Sequence, residues 1–336
     1  MNPAPHRAHG IDAFRLIGAF CIVLLHSSYG ALDAGWVEAF RLLSRWAVPF
    51  FFIASGYFLH KRRDENGDLP LGRIEPNLTR LLSILLVASL VYFPIKMLMG
   101  PEPFRVEQLL VGNYFHLWFI GALTVGTLGQ WFFRQLGGRR LLDVISLGLI
   151  VAALLSDSYD VLWGVRWNYD PFRILLGIPM VHLGMRVAAN GRSNSGPLFW
   201  FALALLGLLV QFGEVAWFSR RWGYPAYDHQ FLIGTLLCAL PLFIGSSLIR
   251  MKENALVRWG RDYSLPIYLY HPLVFYVMAV LGNRFWPESK TAVETFSPLI
   301  AFFGSLGALM MVERFMPRLF RFLSGDLNAL FRSERP

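Results

Sequence analysis

An arginine and a histidine share one stripe of the first apolar segment, IDAFRLIGAFCIVLLHSSYG, where Arg15 and His26 stand eleven residues apart. Eleven steps of an α-helix make close to three full turns and about 16 Å of rise, so both side chains project the same way. An ionisable side chain in a membrane helix is costly unless it faces protein or water, and two on one face mark a candidate catalytic site. An imidazole suits proton transfer near neutral pH, and a guanidinium forks onto oxyanions such as phosphate. Asp12 lies one turn before Arg15, a spacing that admits an ion pair to fix the guanidinium. Further on, HLWFIGAL sets His116 and Trp118 near the expected depth of His26, and YSLPIYLYHPLVFY sets Tyr268 and His271 one turn apart on one face. His116, Tyr268 and His271 are thus candidates to orient His26 or to face an acceptor. His182 falls in the sixth apolar segment, while His6, His9, His60 and His229 fall in polar ends or loops and carry no signal. With no H-x3-H on one helix and no G-x-S-x-G elbow, neither a metal site nor a triad hydrolase is expected.

The elements that must position these residues are membrane spans. The composition is 55% hydrophobic and only 16% charged, with mean hydropathy +0.46, which excludes an ordinary soluble domain. Crossing hydrocarbon takes about 20 apolar residues. Ten stretches qualify, near 12–32, 42–60, 78–99, 115–134, 141–156, 172–189, 197–213, 230–249, 264–282 and 296–316. The fold class expected is therefore all-α, polytopic, with about ten transmembrane helices. With the N-terminus inside, 21 of the 31 Lys and Arg fall on inner segments, among them Arg7, Arg192, Arg332 and Arg335, and the 22 acids divide equally. That asymmetry places both termini in the cytoplasm and explains the +9 net charge without a nucleic-acid partner; anionic lipid and an anionic cosubstrate suffice.

The first segment lacks a cleavage site and is expected to remain as an anchor. Cys21 and Cys238 lie inside spans and are expected to be packing residues. The chain reads as a single domain, 1–336, whose residues 317–336 form a basic, amphipathic cytoplasmic tail at the interface. Loops on the outer side carry Phe104, Tyr114, Trp163, Trp167, Trp222, Tyr224 and Tyr227, read first as an interfacial belt and second as sugar-stacking residues.

The segment HGIDAFRLIGAFCIVLLHSS, with its R-x10-H spacing, resembles the opening of the acyltransferase-3 family of membrane acyltransferases. The likeness continues through VPFFFIASGYFL, HLWFIGAL and YSLPIYLYHPL in family order, to about residue 282. The short form resembles the branch that O-acetylates envelope glycans, such as the enterobacterial common antigen acetyltransferase. The resemblance implies transfer of an acyl group, commonly acetyl from acetyl-CoA as donor cosubstrate, to a sugar hydroxyl of a polysaccharide or glycolipid in the bacterial inner membrane, with no permanently bound cofactor. His26 and Arg15 match its essential pair. Where the family carries a paired-basic R-x-x-R before the third span, this chain has Asn77 and Arg80.

On that reading Arg15, helped by Arg80, Arg258 or Arg261, grips the coenzyme A phosphates, and the pantetheine arm runs along the first helix to His26. The histidine then acts as general base or as a transient acyl carrier. The rival is a secondary transporter or carrier of a glycan or lipid-linked substrate, which calls for inverted repeats and intramembrane carboxylates. Asp12, Asp143 and Glu313, the acids nearest to spans, all fall at their cytoplasmic ends.

Overall fold

The computed structural model describes residues 8–330 apart from 28, 30–31, 66, 101–102, 104, 166, 192, 225–228 and 286–289. Arg7, Arg192, Arg332 and Arg335 among the inner charges, His6, and Phe104 and Tyr227 among the loop aromatics lie outside the described residues. The chain forms α1 (His9–His26), α2 (Ala34–Ser44), α3 (Ala47–Leu59), α4 (Leu71–Met99), α5 (Gln108–Val111), α6 (Trp118–Ser156) and α7 (Asp170–Leu175). It continues with α8 (Gly177–Ala189), α9 (Pro197–Trp222), α10 (Ile233–Leu248), α11 (Ala255–Phe285), α12 (Lys290–Thr295), α13 (Ser297–Phe315) and α14 (Pro317–Leu323). Among the described residues there is no strand.

Seven helical stretches are long and apolar enough to cross a membrane, and α10, at 16 residues, is a shorter apolar helix. The helix α6 forms two arms that meet at a break. Its 39 residues would make a rod of about 58 Å if straight, yet Trp118 at its start lines the same cavity as Phe231, whose N–H is bonded by Asp157 just past its end. The chain reverses at Gly137 and Gly138, and Gly138 has φ 65° and ψ −157°, a conformation reserved in practice for glycine. The expected inner loop between the fourth and fifth segments is thus compressed into two residues.

Other boundaries move for local reasons. The first helix stops at His26 rather than near 32. There the Ser27 hydroxyl donates to the Val23 carbonyl at 2.8 Å, and the hydroxyl of Tyr29, which has φ 60°, donates to the Leu24 carbonyl at 2.7 Å. Pro49 stands in the first turn of α3, where its missing N–H costs nothing but interrupts the ladder from α2. The fourth helix begins at Leu71 and α11 at Ala255, ahead of the expected apolar starts at 78 and 264. The C-terminal residues dock on α4 and α11: the Tyr270 hydroxyl donates to the Leu323 carbonyl at 2.8 Å, and Gly325 lies against Ile84 and the Arg80 carbonyl.

Lipid-facing and protein-facing sides divide plainly. On α4 the residues Leu82, Leu86, Leu90, Phe93 and Met97 form an exposed apolar stripe, suited to hydrocarbon and costly in water. Inside the bundle, helices touch backbone to backbone at glycines, because lipid gives no hydrophobic drive for helix pairing and close packing must supply the attraction. A Cβ on Gly56 would overlap the Val181 carbonyl, one on Gly184 the Ile53 carbonyl, and one on Gly260 the Asp12 carbonyl. The first two lock α3 to α8, and the third locks α11 to α1. Polar side chains finish the seams: the Gln211 amide donates to the Leu42 carbonyl at 2.7 Å and its oxygen accepts from the Thr235 hydroxyl at 2.7 Å.

Gly184→Ala should therefore destabilise the bundle by at least about 1–3 kcal/mol through overpacking. Gly213→Ala, whose added carbon meets open space, should be neutral or slightly stabilising. Thermal unfolding of both variants in detergent, followed by tryptophan fluorescence, checks the contrast; equal melting temperatures would remove the close contact as its cause.

Candidate active site

Helices α1 and α11 run parallel, since Asp12 meets Gly260 near their starts and His26 meets His271 further along. This brings two clusters from the sequence together, one at each end of the pair. At the lower end Arg15 is bonded to Asp12 at 3.2 Å, and Arg80 and Asp262 are the next charges acting on it. Arg261 is held by Glu253 at 2.7 Å and by Asp262 at 2.8 Å, and Arg258 is exposed.

At the upper end Pro272 dictates the arrangement. Having no N–H, it leaves the Tyr268 carbonyl without the helical donor four residues on, and buried Nδ1 of His271 donates to that oxygen at 2.9 Å. Its other nitrogen, Nε2, must then accept, and His26 Nδ1 donates to it at 3.0 Å. The relay leaves Nε2 of His26 as the nitrogen with a lone pair to offer. His116 braces α11 beside this pair: its Nε2 donates to the Leu269 carbonyl at 2.9 Å, where the Tyr92 hydroxyl also donates at 2.7 Å. The Tyr268 hydroxyl returns a bond to the His116 carbonyl. Phe115 meets the His26 ring edge-on, with centroids 5.0 Å apart.

His26 is half-buried and borders two cavities. One, about 390 Å³, is lined by Arg41, Arg45 and Arg173 together with Phe52, Trp118 and Tyr169. The other, about 420 Å³, is walled by Tyr114, Pro272, Phe275 and Tyr276. Phe115 lines both. The three arginines were not singled out from the sequence. They come from α2, the turn before α3, and α7, and the one signal for them was their presence on the side where basic residues are the minority.

His182, given no role from the sequence, bridges the two arms of α6: its Nε2 lies 2.7 Å from the Asp143 carboxylate and its Nδ1 3.2 Å from the Gln130 side-chain oxygen. Asp157 pins the chain entering α10 by accepting from the Gln230 and Phe231 N–H groups at 2.7 and 2.6 Å and from the Ser158 hydroxyl at 2.8 Å. Burial pushes its carboxyl up to about 6, against those hydrogen bonds and Arg45. Among the described residues no three His, Cys, Asp or Glu are grouped to hold a metal ion.

Apolar helices of membrane-crossing length, packed through glycines around an imidazole pair, define a multi-pass membrane protein with an embedded candidate site. Residues 8–312 match the acyltransferase-3 family, described as an acyltransferase domain, and the chain belongs to that family of membrane acyltransferases. Curated relatives include an "Amino-acid racemase" of Enterococcus faecalis, 26% identical over 324 residues that cover 87% of this chain and 44% of the relative. Another is a "Serine/alanine racemase" of Enterococcus gallinarum, 26% identical over 316 residues covering 85% of this chain and 43% of the relative. The chain thus spans less than half the length of these relatives. No solved structure matches it.

Two measurements test the site as built. Nitrogen NMR of 15N-histidine-labelled protein should find His26 protonated at Nδ1 with Nε2 bare, and His271→Phe should turn that single tautomer into a mixture; an Nε2–H form in the parent would break the relay. For Asp157, ionisation is harder in the folded chain than in the unfolded one, so the stability it contributes is complete below its ordinary value of 3.8 and is lost as pH rises through about 6. The melting temperature of the parent should fall relative to Asp157→Asn across that window, and a constant difference would contradict the assignment.

Proposed function

We propose that this domain moves an acyl group, in the simplest case acetyl, from acyl-CoA to a sugar hydroxyl of a cell-envelope polysaccharide or glycolipid. The observation that carries the reading is the carbonyl–His271–His26 relay, which leaves one imidazole nitrogen with a free lone pair beside a cavity of about 390 Å³. In the acyl-transfer step that nitrogen takes the proton of the acceptor hydroxyl as its oxygen attacks the thioester carbonyl. The carbon–sulfur bond then breaks, and the leaving thiolate recovers the proton from the imidazolium, giving ester and free coenzyme A. Direct transfer uses Nε2 of His26 as the base; attack by the same nitrogen on the thioester would give the acyl-histidine alternative.

The donor is assigned to the opposite end of α1. Arg15, oriented by Asp12, offers a fixed guanidinium to a phosphate, and Arg80 is the basic neighbour that acts on it. Arg258 and Arg261 belong to the rim, the latter already engaged by two carboxylates. The rise of about 16 Å between Arg15 and His26 is of the order of an extended pantetheine arm. His116 and Tyr268 act as positioning residues by holding α11. The protein is assigned to the bacterial cytoplasmic membrane with both termini inside, so that His26 lies in the outer half of the bilayer.

With membranes from expressing cells and radiolabelled acetyl-CoA, label should enter extracted glycan only when the protein is present. His26→Ala should lower kcat by about 10²–10⁴-fold while donor binding persists, whereas Arg15→Ala should act mainly on donor affinity. Equal loss of donor affinity in both variants would overturn this division.

A further inference from the structure

The mechanism so far leaves three guanidinium groups beside His26 without a role. Arg41, Arg45 and Arg173 line one of the two cavities beside it, that of about 390 Å³, and no carboxylate is among the residues lining that cavity. The nearest acids stand behind the arginines. Asp157 acts on Arg45, and Asp170 pairs with Arg173 at 2.8 Å while its own side chain is 70% exposed. Arg41 differs: among the described residues it has no carboxylate within ion-pair distance, and its buried Nε has no hydrogen-bond partner. It also lies within Coulombic reach of His26.

Like charges converging on a partly dry cavity repel one another, and a guanidinium removed from water is costly unless an oxyanion meets it. Part of the remaining wall is aromatic. Phe52, Phe115, Trp118 and Tyr169 line it, and Arg173 is stacked on Trp118 at 4.8 Å. Flat rings beside fixed positive charge suit a sugar that carries an anion. The donor's phosphates are not needed there, since Arg15, with Arg80 as its basic neighbour, lies about 16 Å away along α1.

We propose that the acceptor glycan carries an oxyanion, a carboxylate or a phosphate, and that Arg41 with Arg45 and Arg173 holds it so that a neighbouring hydroxyl faces Nε2 of His26. The proposal rests on the acyltransferase reading above and names the substrate class that reading leaves open. The arginines then fix register on the acceptor, while His26 supplies the chemistry.

The test uses the full chain in nanodiscs of neutral lipid, with octyl β-glucuronide, octyl glucoside 6-phosphate and uncharged octyl β-glucoside as probes. At least one anionic probe should bind about tenfold or more tightly than the neutral one, the scale of one charge-assisted contact. The two anionic arms tell carboxylate from phosphate. Arg41→Gln should erase the preference while leaving affinity for the neutral glycoside and for coenzyme A unchanged. Equal binding of charged and neutral probes, or a preference that survives Arg41→Gln, overturns the proposal. So does a loss of coenzyme A affinity in that variant, which would assign the arginines to the donor. Should Arg41→Gln lose neutral-glycoside binding as well, Arg41→Lys and Arg173→Gln are judged by the same ratio. Transfer of radiolabel from acetyl-CoA to the probes is scored separately: an intact anionic preference with no transfer would sink the acyltransferase reading and leave the anion site standing.

Discussion

Pro272 has no N–H to give the Tyr268 carbonyl, and in a hydrocarbon setting a backbone oxygen released from its helix has to find another donor. The donor it finds is His271, and everything about the reactive nitrogen follows from that choice. Once His271 spends one ring nitrogen on the carbonyl, the other can only accept, so the histidine facing it across the helix seam has its tautomer decided without a carboxylate. A neutral dyad of this kind suits a membrane interior, where an isolated carboxylate would carry a heavy desolvation cost. Among the described residues, acids within long helices find partners, as Asp12 does in Arg15 and Glu214 in the Tyr159 hydroxyl and the Ile233 and Gly234 N–H groups.

A hydrogen bond between two helices needs those helices held at one distance, and packing supplies that. Gly260 lets α11 lie directly on the backbone of α1 at Asp12, so the same seam that joins the imidazoles above also sets Arg15 below. The seam between α3 and α8, closed at Gly56 and Gly184, forms the opposite wall of the arginine cavity through Pro49, Phe52, Leu176 and Met180. Site geometry is thereby transferred to positions with no side chain, and His116 and Tyr92 add hydrogen bonds to the Leu269 carbonyl of α11.

Much of this was legible in the sequence. Runs of apolar residues of bilayer length are a strong signal, and each of the ten stretches contains a helix or an arm of one. Their ends were less legible. Leu71 to Asn77 is polar enough to read as loop, yet it is the first two turns of α4, because docking, as at buried Ile74, extends a helix beyond its apolar stretch in spite of Gly72 and Pro76. That one helix carries both Arg15 and His26, and that Tyr268 lies close to His271, could be read from spacing alone. The meeting of Arg41, Arg45 and Arg173 could not. Three residues from separate segments, each ordinary where it stands, converge only through tertiary packing, which no local periodicity records.

The turn at Gly137 and Gly138 reaches further than its size suggests. Because α1 and α11 meet first at Asp12 and Gly260 and again at His26 and His271, they travel in the same direction, which requires an even number of reversals between the two. Two residues without side chains supply one of those reversals. Had α6 run on as a single rod, α11 would point the other way and could not meet α1 at both Gly260 and His271. The parity of the chain's path, and with it the existence of a dyad at all, is written in a pair of glycines remote from the chemistry.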